Sequence, residues 1–175
     1  VSRMEHHSNL VPWQQLCNSK NAELRFLDHD IYGRIDLNKA KDLIDKNTKI
    51  IAITHMSNVL GVINPIKAIR EISKKFGTFL VLDGAQSAPH FSVDMKEIDC
   101  DFFAFSAHKM LGPTGIGVLY GKEELLEDME PFYFGGDMIS EVTYENAKWN
   151  DLPYKFEAGT PNIADAIATG YAVDY

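Results

Sequence analysis

Three short apolar runs, 49–54, 78–82 and 102–105, constrain this chain more than any other feature in it. Ile50, Ile51 and Ile53 are too nearly consecutive for a strand with one wet face, so the first run reads as a strand buried on both sides. Between the first two runs lies an amphipathic stretch, 66–75, opened by Pro65 and closed by Gly77, the punctuation of a helix. Strand, helix, strand in that order predicts an α/β fold with a mostly parallel sheet covered by helices on both faces. The third run delivers Ser106, His108 and Lys109 into a loop. Gly112-Pro113-Thr114-Gly115 then turns the chain into a further strand, 116–120.

The flanks fit the same scheme. A short strand near 1–4 ends at Glu5-His6-His7. Ser8 or Asn9 is placed to cap a helix reaching about residue 19, with Pro12 in its first turn. Leu10, Trp13, Leu16 and Cys17 share one helical face, which predicts Cys17 in the core. A strand over 23–27, a turn pivoting on Gly33 and a helix from Asp36 to about residue 45 follow. Beyond Tyr120 come an acidic helix over 123–130, an aromatic, glycine-rich segment over 132–136, irregular chain over 143–155, and a helix from residue 163. The expected division is a core over 1–121 and a remainder over 122–175. A start without methionine and a last helix without a cap signal make both ends read as incomplete.

Twenty-five acidic against 17 basic residues give a net charge of −8, which speaks against a nucleic-acid surface. No apolar run reaches the ~18 residues of a membrane span. Two cysteines, Cys17 and Cys100, are too few for a disulfide framework and lack zinc-site spacing, so a reducing, cytoplasmic compartment and no metal are expected.

The polar residues gather at strand ends: His6, Asn58, Asp83 and Lys109. In open α/β sheets, ligands bind where strand C-termini converge. Most lysines are solvated surface charges, but Lys109 follows a run too apolar for a surface strand. A partly desolvated amine there can form an imine with a carbonyl cofactor. Pyridoxal phosphate is such a cofactor, and it needs a carboxylate beside its ring nitrogen. Asp83 ends the second run and suits that task, although Asp before Gly is also an ordinary turn residue. A buried carboxylate there also predicts a cationic partner. Gln86 and Asn58 can address the cofactor's phenolate oxygen, though each alone reads as a structural amide. Ser106, His108 and turn N–H groups can hold its phosphate, and His6 can stack on the ring and exchange protons. Nucleotide-loop readings of the 112–117 glycines fail, because a strand follows them where a phosphate loop needs a helix.

The stretch Ser106-Ala107-His108-Lys109-Met110-Leu111-Gly112-Pro113-Thr114-Gly115-Ile116-Gly117 closely resembles the cofactor-lysine motif of group II, SUF-type cysteine desulfurases and their selenocysteine-lyase relatives. These are fold-type I enzymes of the class V aminotransferase superfamily. The segments Glu5 to Gln14, Thr54 to Gly61, Asp83 to Gln86 and Phe156 to Asn162 resemble further signatures in the family order. The resemblance implies the central part of a pyridoxal 5'-phosphate-dependent large domain. Lys109 would carry the cofactor and move protons at the substrate α-carbon, with His6 on the ring and Asp83 on the pyridine nitrogen. Gln86 and Asn58 would address the phenolate oxygen, and Ser106 and His108 the phosphate. Thr160 would reach the phosphate of the other subunit of a homodimer. The implied reaction takes sulfur from L-cysteine, giving L-alanine and a persulfide destined, through an acceptor or scaffold protein, for iron–sulfur cluster assembly. Neither Cys17 nor Cys100 matches the family's nucleophile, which lies in a C-terminal part not seen here. Selenocysteine lyase and cysteine sulfinate desulfinase are the enzymatic alternatives, and a non-catalytic module that keeps the fold is the other.

Overall fold

The computed structural model describes residues 1–175. A 3-10 turn, His7–Asn9, leads into α1 (Val11–Lys20), and α2 (Leu37–Leu43) follows. Then come β1 (Ile50–Thr54), α3 (Ile66–Lys74) and β2 (Phe79–Asp83). Two short helices, α4 (Ser87–His90) and α5 (Met95–Ile98), precede β3 (Phe102–Ser106) and a 3-10 turn, Ala107–Lys109. The chain continues through β4 (Gly117–Gly121), α6 (Glu123–Asp128), β5 (Ile139–Val142), β6 (Ala147–Trp149) and α7 (Ile163–Asp174).

The sheet order is β1-β2-β3-β4. β1, β2 and β3 run parallel, and β4 returns antiparallel beside β3 through the Gly115 turn, where φ is +81°. A positive φ of that size is cheap only for glycine. Register puts Ile51, Ile53, Leu80, Leu82 and Phe103 on one face. That face is sealed by Ile66, Ile69 and Ile72 of α3 with Ala40 and Ile44 from the α2 region. Burying one such aliphatic side chain contributes roughly 1.5–3 kcal/mol, so this layer is the main source of stability. The opposite face carries Thr54, Asp83, Ala104 and Ser106, and it is only partly covered, with Phe79, Ala104 and Leu119 exposed.

At the N-terminal end of β3 a charge cluster is fully paired. The Arg70 guanidinium grips Asp101 through two bonds of 2.9 and 3.0 Å, the Leu80 N–H donates to Asp101 at 2.7 Å, and Lys122 lies 3.0 Å away. Asp99 takes Lys74 at 2.6 Å and Lys122 at 2.7 Å. Hydrogen bonds from Lys122 and then Lys74 hold the Asp99 carboxyl well below the usual range.

Several expectations change. The strands read over 1–4 and 23–27 reduce to one parallel bridge, Ser2 to Leu27, held by Leu27 N–H to Val1 C=O and Arg3 N–H to Leu27 C=O, with the Val1 amino group donating to the Arg25 carbonyl at 3.1 Å. Ser8 and Asn9 do not cap α1. It begins at Val11 with Leu10 at the cap position, and the Asn9 side chain is committed to Glu5 and Trp13. No residue of α1 is buried, and Cys17 is half-buried on an apolar cavity of about 420 Å³ rather than in the core. The stretch over 143–155 includes part of the β5–β6 hairpin, closed by Thr143 N–H to Asn146 C=O at 2.8 Å. No helix is long and apolar enough to cross a membrane.

Candidate active site

Parallel pairing aligns strand C-termini, and that alignment builds the site. Thr54 pairs with Asp83, and Asp83 with Ala104, so β2 ends beside the middle of β3. Two residues on, Ser106 ends β3, and the 3-10 turn after it carries Lys109. Asp83, Ser106 and Lys109 line one open crevice of about 250 Å³, together with Ala85 and, from the N-terminal segment, Ser8 and Asn9.

One oxygen of Asp83 is used locally, Oδ1 accepting from the Ala85 N–H at 2.9 Å. No lysine or arginine pairs with Asp83, so the cationic partner the sequence predicts is not supplied by the chain's own ion pairs. Asp83 is half-buried and lines the crevice, and its Oδ2 has no hydrogen-bond partner in the chain. Lys109 is half-buried, and its amine is in no ion pair. The turn beneath them is packed tightly. A Cβ at Gly84 would meet the Phe103 ring at 2.0 Å, and one at Gly112 would meet the Ala107 carbonyl oxygen at 2.9 Å. Neither position accepts a larger residue without moving the loops that carry Asp83 and Lys109.

The remaining candidates sit around this crevice rather than in its lining. His6 is exposed and caps the His7–Asn9 turn, its Nδ1 accepting from the Ser8 N–H at 3.2 Å and lying 2.8 Å from the Ser8 hydroxyl. A backbone N–H can only donate, so Nδ1 carries the lone pair and Nε2 the proton in that cap. Gln86 is half-buried just before α4, and Asn58, His108 and Thr160 are exposed. His55 lies on the other face, edge-on to Phe91 at 5.2 Å, and burial pulls its pKa down.

Sequence reasoning passed over the crevice wall. The half-buried Glu5 carboxylate accepts from the Ser2 hydroxyl, from the Asn9 amide at 2.6 Å and from the Thr54 N–H at 3.1 Å. The Asn9 carbonyl oxygen accepts from the Trp13 indole at 2.9 Å. Burial pushes the Glu5 pKa up, against the pull of those hydrogen bonds. No helical pattern joins them in the sequence, since Glu5 and Asn9 precede α1.

Comparison with known proteins gives a consistent result. The chain is similar to the cysteine desulfurase of Haloferax volcanii, 50% identical over all of this chain and 41% of that protein. It is 57% identical to a probable cysteine desulfurase of Staphylococcus epidermidis, across 42% of its length. Among solved structures, the Escherichia coli cysteine desulfurase CsdA superposes with a TM-score of 0.96 at 41% identity, over 99% of this chain and 43% of that one. An apo cysteine desulfurase from Thermococcus onnurineus matches with a TM-score of 0.94 at 43% identity, over 99% and 44% respectively. The chain thus spans under half the length of these relatives. The class-V aminotransferase model matches residues 1–175. The chain belongs to the class-V aminotransferase family.

Proposed function

We propose that this chain forms the pyridoxal 5'-phosphate-binding part of a cysteine desulfurase, a protein that takes sulfur from L-cysteine and releases L-alanine. The observation that carries the reading is the meeting of Asp83, Ser106 and Lys109, from two strand ends and the turn after them, on one crevice. The names of relatives at 50–57% identity support the substrate.

The residues fit the cofactor by their chemistry. An amine in no ion pair, a carboxylate with one uncommitted oxygen and a hydroxyl face the same space. When bound, pyridoxal phosphate supplies an electron-withdrawing ring that loosens the bonds at a substrate's α-carbon. Lys109 would anchor it covalently and then carry a proton to or from that α-carbon. The free Oδ2 of Asp83 would accept from the protonated ring nitrogen, a charge-assisted bond contributing roughly 1.5–3 kcal/mol. Ser106 and His108 would hold the phosphate, Gln86 and Asn58 the phenolate oxygen, and His6 the ring face through its imidazole.

Neither cysteine lines the crevice, and Cys17 opens instead on the cavity beside Lys49 and Ile50, at the start of β1. Cys100 is fully buried, burial pushes its thiol pKa up to about 11, and it precedes β3, whereas Lys109 follows it. Five strand residues separate those ends by ~16 Å. We therefore expect no persulfide and no alanine from this chain alone. A cytoplasmic homodimer that passes sulfur to an iron–sulfur scaffold is the working form we infer for the whole protein. Its dimer contact would include the exposed Phe132, Tyr133 and Phe134, whose loop packs on Ala158 and Gly159 beside Thr160. Thr160 would then reach the partner's phosphate.

The test is a visible absorption titration with pyridoxal phosphate. A band absent from free cofactor is expected for the wild-type chain and not for Lys109→Ala. A band that survives Lys109→Ala overturns the assignment.

A further inference from the structure

The polar string Trp13–Asn9–Glu5–Thr54 has a fixed direction. The Trp13 indole N–H can only donate, so the Asn9 carbonyl oxygen must face it and the Asn9 NH2 must face Glu5. Ser2 and Thr54 also donate to Glu5, so every neighbour of that carboxylate is a donor and the ionised form is the one the string accepts. Thr54 is the residue that pairs with Asp83 across β1 and β2. Glu5 thereby ties the N-terminal segment to the strand end next to the one bearing Asp83. Asn9 itself lines the crevice opposite Asp83, Ser106 and Lys109, and His6 caps the turn between Glu5 and Asn9.

We propose that Glu5 and Asn9 are positioning residues of the cofactor site, setting the wall formed by Ser8 and Asn9 and the place of His6 through a one-way hydrogen-bond string. This rests on the cofactor reading above. The string can be inverted without changing its shape. Glu5→Gln alone sets its new NH2 against the Asn9 NH2. Asn9→Asp alone sets two carboxylates together. In Glu5→Gln/Asn9→Asp the new Asp accepts from Trp13 and from the new Gln, whose oxygen still accepts from Ser2 and Thr54.

The experiment measures pyridoxal phosphate affinity by visible absorbance, with the His6 ring signals followed by NMR in the cofactor-free chain. Each single variant is expected to weaken binding by about 10-fold or more, the scale of one charged hydrogen bond, and to shift the His6 signals. The double variant is expected to restore both to near wild type. Ile69→Val, a loss confined to the buried core, should leave both readouts unchanged, which separates positioning from general destabilisation. Single variants that bind like wild type, or a double variant no better than the singles, overturn the proposal, as does an Ile69→Val loss equal to theirs. If the wild-type chain binds no cofactor, the functional reading fails. The His6 signals then decide the string by themselves, since swap-restored signals support it and unrestored ones overturn it.

Discussion

The two ends of β2 and β3 treat charge in opposite ways. At the N-terminal end of β3, Asp101 is buried, and Arg70, Lys122 and a backbone N–H fill its oxygens. At the C-terminal ends, Asp83 keeps one oxygen uncommitted and Lys109 has no ionic partner, although both are half-buried. Removing charge from water is costly, and a fold recovers that cost only by pairing. The first cluster has recovered it and reads as structure. The second has no such pairing, and it lies where strand C-termini converge, the place at which open α/β sheets bind ligands.

The sharpest way to break this contrast is to unpair the first cluster. Arg70→Ala leaves Asp101 buried without its bidentate partner and is expected to lower stability by roughly 3–5 kcal/mol. Urea unfolding followed by circular dichroism measures it, and a change below ~1 kcal/mol would show that the pairing matters little. Asp83→Asn is the counterpart at the other end. It is expected to leave the unfolding midpoint nearly unchanged while weakening pyridoxal phosphate binding by about 10-fold or more, since a charged acceptor becomes a neutral one. A large stability loss with unaltered binding would reverse the roles of the two ends.

Acid sharpens the contrast further. Lys122 and Lys74 depress the folded-state pKa of Asp99, so its contribution to stability is present above the ordinary carboxylate range, near pH 3.9. It is lost as pH falls through that range toward the folded value. Asp99→Asn should lower stability at pH 7 and flatten its decline below about pH 4, read from urea midpoints at several pH values. The smallest effect expected is chemical. Cys17, half-buried on an open cavity, should react with iodoacetamide at pH 8 well before the fully buried Cys100, as peptide mapping over time would show.

How much of this was legible beforehand depends on range. The strands of the parallel sheet announced themselves as short apolar runs; β1 is buried on both sides over Ile51 to Thr54, while β2 and β3 bury mainly the face that packs on the core. The β5–β6 hairpin did not, since Ser140, Glu141 and Val142 are exposed and no buried face imposes an apolar run on them. Asp83, Ser106 and Lys109 were readable from their place at run ends, but their shared crevice depends on register. Arg70 and Asp101 lie 31 residues apart, and no local pattern joins them. The Glu5 contact with Thr54 spans 49 residues and could only be seen folded.

The central claim, that Lys109 is where the cofactor attaches, can be tested without any activity. The chain is incubated with pyridoxal phosphate, reduced with borohydride, digested and mapped by mass spectrometry. The expected result is a single reduced cofactor adduct on Lys109, absent when Asp83→Asn is treated at a cofactor concentration that only the wild type binds. An adduct spread over surface lysines, or concentrated on another lysine, would contradict it.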